Sequence, residues 1–116
     1  MKLSNQIAAR AIALAALSGV AACSATSGPE LRASSPLIYI ASQRSVSDVF
    51  SCLEDKLSAS TSKVGTSSEL RIGSDAWLVT LSPATRGSTV KVQKSDGSDG
   101  GLPEPEMRFY IARCTV

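Results

Sequence analysis

The chain has 116 residues, with 12 basic and 10 acidic side chains and no histidine. A net charge of +2 excludes the dense basic footprint by which a domain grips nucleic acid. The missing histidine removes the usual general base, the Ser-His-Asp and Cys-His nucleophile arrangements, and the commonest metal ligand.

Taken in order, residues 1–22 read as an export leader. Lys2 and Arg10 are its only charges, and the run from Ala11 to Val20 carries none. About ten uncharged residues suit a signal-peptide core and fall short of the roughly 20 needed to span a bilayer. The run leads into Val20-Ala21-Ala22-Cys23. This resembles the bacterial lipobox: an aliphatic residue, two small ones, then a lipidated cysteine. The resemblance implies cleavage before Cys23, a diacylglyceryl group on its thiol and a fatty acid such as palmitate on the new amino terminus. Two or three acyl chains hold a protein on a membrane stably where one does not. In lipoproteins an aspartate after the cysteine favours inner-membrane retention; Ser24 therefore implies the outer membrane, facing the periplasm. The alternative is an ordinary secreted protein in which Cys23 is a plain cysteine.

Both leader charges are basic, so residues 23–116 carry equal numbers of acids and bases. Beyond its acyl chains the mature protein has no polybasic segment for anionic lipid, and no nucleic-acid partner is expected. Residues 23–35, the lipidated cysteine and a polar, small-residue stretch from Ser24 to Ser35, read as a flexible tether able to span about 20 Å. Residues 36–116 are then one small periplasmic domain.

Within it, Leu37-Ile38-Tyr39-Ile40-Ala41 is a continuous apolar run and predicts a strand buried on both faces, or a central strand under a helix. The clearest helix follows. Ser45 can act as its N-cap with Asp48 three residues on, and Val46, Val49, Phe50, Leu53 and Leu57 form one stripe. Cys52 lies at the edge of that stripe. Ser58 to Ser62 reads as the small, polar end of the helix. Lys63–Thr66 and Leu70–Ile72 are short strand candidates, separated from the next strand by the turn signal Gly73-Ser74-Asp75. Ala76 to Leu81 is the best later strand, with Trp77, Val79 and Leu81 on one face. After a break at Pro83–Gly87, Thr89 to Lys94 alternates, placing Val90 and Val92 inward and Lys91 and Gln93 outward. These last two strands are expected to form an antiparallel hairpin. Ser95–Gly101 reads as a flexible loop. From Pro105 to Cys114 a strand and a helix both fit, and Pro105, Glu104, Glu106 and Arg113 suit the dipole of a helix.

Once Cys23 is lipidated, Cys52 and Cys114 remain as a pair in an oxidising compartment, so a Cys52–Cys114 disulfide is expected. The fold class is α+β: a small antiparallel sheet, one packed helix, a C-terminal helix or strand, and one disulfide staple. Pro36-Leu37-Ile38-Tyr39, Ser42-x-x-Ser45 and Val49-x-x-Cys52-Leu53 together resemble small uncharacterised bacterial lipoproteins. In those a strand, a cysteine-bearing helix and a sheet follow the lipobox. The resemblance implies an architecture and no mechanism.

Candidate chemistry is sparse. Ser60-Thr61-Ser62-Lys63 has the Ser-x-x-Lys form of a penicillin-binding-protein nucleophile, without that family's other motifs. Asp96-Gly97-Ser98-Asp99-Gly100-Gly101 lacks the ligand order and closing glutamate of a calcium loop. Asp48, Glu54 and Asp55 fit a solvated helix face, and Trp77 and Tyr39 fit core packing. No catalytic residue, metal ligand or cofactor is assigned. The expected function is a non-catalytic binding or scaffolding module with a protein partner in the envelope. The alternative is an inhibitor or defence protein against a hydrolase such as lysozyme, presenting residues 82–87 or 95–105.

Overall fold

The computed structural model describes residues 28–116. The leader, the lipobox-like Val20-Ala21-Ala22-Cys23 and Ser24 lie outside the described residues. The elements in chain order are α1 (Gly28–Ala33), β1 (Ile38–Ser42), α2 (Val46–Lys56), β2 (Ala59–Val64), β3 (Ser67–Ile72), β4 (Trp77–Pro83), β5 (Ser88–Lys94) and α3 (Glu104–Thr115).

Short connections make β2 through β5 an antiparallel meander, and β1 joins it on the far side of β5. The sheet order is β1-β5-β4-β3-β2. The expected hairpin is β4–β5, with Val79 opposite Val92 and Leu81 opposite Val90. Because opposed residues share a face, these four continue through Leu70 and Ile72 of β3 into one apolar surface. Both long helices cover it. Val49 and Leu53 of α2 and Met107, Ile111 and Cys114 of α3 complete a core in which Trp77 is fully buried.

Local chemistry explains the helix ends. The Asp48 amide donates to Ser45 Oγ at 3.1 Å, capping α2 as its sequence predicts. The segment ambiguous in sequence is helix: Pro105 sits in the first turn of α3 between Glu104 and Glu106, and Arg113 lies in the last turn. The Cys52–Cys114 disulfide joins α2 to α3 with Cα atoms 5.6 Å apart. It closes 62 residues of chain, worth about 4 kcal/mol by loop entropy.

Several expectations are corrected. The apolar β1 is neither central nor buried: it is an edge strand, and Tyr39 is 68% exposed instead of packing in the core. Ser58–Ser62 is not a helix end, because α2 stops at Lys56 and residues 59–64 form the opposite edge, β2. There pairing with β3 satisfies the backbone regardless of side-chain polarity. The loop at Ser95–Gly101 is built of specific bonds. The Gly101 amide donates to Asp99 Oδ1, the Gly100 amide to Ser98 Oγ, and Trp77 Nε1 to the Asp99 and Leu102 carbonyls. At its far end Gly100 meets Gly73 of the β3–β4 turn backbone to backbone. A Cβ on Gly73 would stand 2.7 Å from Gly100 Cα.

The tether is also shorter than expected. Gly28–Ala33 is a helix, and it lies on the outer face of the sheet, opposite α2 and α3. Leu31 is 1% exposed there. Gln93 does face outward, yet it is only 1% exposed, because its Nε2 donates to the carbonyls of Arg32 (2.8 Å) and Ser34 (2.7 Å).

Candidate functional site

The five strands are wider than the two helices above them. Val46 and Phe50 form the flank of α2 that is turned away from α3, and beyond them the inner face of β2 is left open. The result is a cleft of about 410 Å³ lined by Val46, Ser47, Phe50, Thr61, Ser62, Lys63 and Ser68. Its helix wall joins the apolar Val46 and Phe50 to Ser47, its sheet wall is hydroxylated, and among the described residues Lys63 is the only charged side chain lining it. It borders an edge strand, since β2 has β3 as its only strand neighbour among the described residues. A concave apolar surface beside unpaired backbone amides and carbonyls is the arrangement used to bind extended peptides.

A smaller cleft, about 330 Å³, opens at the opposite end of the helix pair beside Lys56, Leu57, Glu106 and Tyr110. The Gly73–Gly100 contact forms part of its lining.

The second candidate surface is the other edge. Ile38-Tyr39-Ile40-Ala41-Ser42 has no charge, and Leu37, Tyr39 and Ile40 are all exposed along it. Its upper end is fixed from two sides. Ser42 Oγ donates to the Thr115 carbonyl at 2.7 Å, and Arg44 Nη1 donates to the Cys114 carbonyl at 3.1 Å. The β4–β5 tip packs against the same joint, for a Cβ on Gly87 would stand 2.1 Å from the Ser42 carbonyl oxygen. Residues Pro83–Arg86 are therefore exposed on a firmly seated tip, closed by the Ala84 amide donating to the Gly87 carbonyl.

The outer face holds an ion pair whose carboxylate is buried. Glu69, 2% exposed, accepts from Arg32 Nε (2.8 Å) and Nη2 (2.9 Å), with Arg71 Nη2 3.6 Å away and reaching on to Asp75. The hydrogen bonds from Arg32 lower the Glu69 pKa; burial opposes this, and the positive charges of Arg32 and Arg71 reinforce it. The same contacts raise the pKa of Arg32. Their role is to fasten α1 to the sheet.

The residues singled out in sequence are dispersed. Cys52 and Cys114 are joined, and Cys23 lies outside the described residues. Ser60 and Lys63 stand an odd number of positions apart on β2, so they point to opposite faces and cannot act as a nucleophile–base pair. Among the described residues no three His, Cys, Asp or Glu side chains converge on a possible metal position. Sequence reading missed the β2 cleft because it took Ser58–Ser62 as a helix terminus. The alternation of Thr61 and Lys63 about Ser62 was the available signal. No family model, curated protein or solved structure matches this chain.

Proposed function

We propose that this protein is a lipid-anchored envelope lipoprotein, held at the outer membrane through acyl chains on Cys23 and facing the periplasm. There it binds a protein partner and performs no catalysis. The observation that carries the binding role is the pairing of the open β2 edge with the Val46–Phe50 cleft. The occupant is an extended segment of an envelope protein. Its backbone pairs with β2, an apolar side chain enters beside Phe50, and an acidic residue meets Lys63. Main-chain pairing supplies affinity and the cleft supplies selection. The anchor rests on Val20-Ala21-Ala22-Cys23 and on the leader before it.

Two measurements test this reading. Intact mass spectrometry of the membrane-extracted protein should give residues 23–116 plus acyl groups, with a gain of two hydrogens on reduction of Cys52–Cys114. An unmodified chain would remove the anchor. Affinity purification from detergent-solubilised membranes should enrich one envelope partner with the parent chain and lose it at least tenfold with Phe50→Glu. Equal enrichment by the two would exclude the cleft.

The seated Pro83–Arg86 tip supports a second reading, inhibition of a periplasmic hydrolase such as lysozyme by a rigidly presented loop. Unchanged lysozyme sensitivity of a deletion strain would eliminate it.

A further inference from the structure

We infer that β1 is a self-association edge, along which two copies of this chain pair antiparallel to make one ten-stranded sheet. Exposed sheet edges in monomeric proteins are blocked by charges, proline within the strand, bulges or a covering segment. The β2 edge carries Lys63 within its strand, a charge that repels a second copy of that edge and selects the acidic segment proposed above. The β1 edge has none of these blocks between Ile38 and Ser42: no charged residue, no proline, and no covering element among the described residues. It is five residues long and presents Leu37, Tyr39 and Ile40 to solvent.

The occupant follows from charge and shape. An antiparallel partner must place its outer-face residues beside the outer-face residues of this copy, or the core faces would be exchanged. A two-fold axis at Ile40 satisfies that rule and uses all five residues of β1. It sets Ile40 opposite Ile40, Ile38 opposite Ser42, and Tyr39 opposite Ala41. No like charges meet, because the strand has none. On the outer face each large Tyr39 ring gains the smallest neighbour in the strand, Ala41. The joint at Ser42, held by Thr115, Arg44 and the Gly87 tip, keeps the edge in shape before pairing. A foreign extended segment could match the backbone, but only a second copy supplies this large-to-small match twice about one axis. The inference uses a different edge from the β2 cleft and stands without the lipid anchor.

The test uses the full chain in membranes, with the parent as reference for any cross-linking through Cys23. Ile40→Cys should give a reductant-sensitive dimer, since opposed Cα atoms in an antiparallel pair lie about 4.5–5.5 Å apart. Tyr39→Cys and Ala41→Cys should cross-link to each other when co-expressed, well above either alone. Sedimentation of the detergent-solubilised parent should show a dimer that Ile40→Lys weakens at least tenfold. Tyr39→Lys should do the same, and Ser60→Lys on the opposite edge should leave the dimer intact. A monomeric parent, or Ile40→Cys cross-linking to another protein in place of itself, would overturn the inference. Dimer loss in Ser60→Lys with retention in Ile40→Lys would also overturn it, by moving the contact to β2.

Discussion

The two faces of the sheet are closed by opposite means. The inner face is covered by two helices of 11 and 12 residues, which bury a continuous apolar surface from Leu70 to Val92 and lock together through Cys52–Cys114. Among the described residues the outer face is covered by one six-residue helix, and the contacts that hold it include Leu31, the Arg32–Glu69 pair, and the two bonds from Gln93. Leu31 and Leu78 are buried on that side yet stand apart from the main apolar cluster. One face is held by area, where losing any single contact leaves many. The other is held by a few discrete contacts, and each is a distinct point of failure. A six-residue helix is far too short to be stable alone in water, so α1 exists only as long as it is docked.

That contrast can be broken most severely from the inside. Trp77→Ala removes the largest fully buried side chain and leaves the Asp99 and Leu102 carbonyls without their indole donor. Denaturant unfolding should show a loss of about 4 kcal/mol, with every element melting together. Next comes Leu31→Ala, expected to cost about 2–3 kcal/mol. Its signature is local: hydrogen exchange should accelerate in α1 while the amides of β4 and α2 keep their protection. Uniform acceleration would show that α1 is part of the global cooperative unit, contrary to the comparison.

The smallest effect belongs to the ion pair. Glu69 has a folded pKa below its unfolded value, so it adds stability above the ordinary carboxylate range, and that contribution is lost as pH falls through the folded pKa. Glu69→Gln should therefore be less stable than the parent at neutral pH, by less than the cost of Leu31→Ala. The gap between the two should close in acid. A gap that does not narrow as the pH is lowered would mean that packing, and not charge, sets the value of Glu69.

How far the sequence revealed this arrangement differs from element to element. The stripe Val46, Val49, Phe50, Leu53 and Leu57, the alternation in β4 and β5, and the Cys52–Cys114 pairing were legible, because each is a local period or a parity of residues. Edge or centre was not legible. Ile38-Tyr39-Ile40 carries the composition of a buried strand, but burial depends on which strands flank it, and that is a non-local property. The polar β2 failed in the other direction. Its backbone bonds to β3 are set by the Gly65 turn, which holds a left-handed φ of +62°, and its side chains contribute little apolar signal. Leu31 was visible as the single large aliphatic residue of a polar stretch. Gln93, which bonds the Arg32 and Ser34 carbonyls beside it, lies 61 and 59 positions beyond those two residues, out of the reach of any local pattern. The candidate cleft was hidden for the same reason as β2 itself.

The seating of α1 has a consequence for reach. If Cys23 is the lipidated residue, only residues 24–27 separate it from Gly28. Fully extended, that leash covers about 17 Å, which holds the outer face of the sheet close over the headgroups with little freedom to turn. Undocking α1 would release the chain as far as Leu37 and lengthen the leash to about 50 Å. On that proposal Leu31, Arg32 and Gln93 are a buckle on an anchoring strap: fastened, it would keep the domain beside the membrane, and unfastened, it would let the domain stand off by the length of the longer leash.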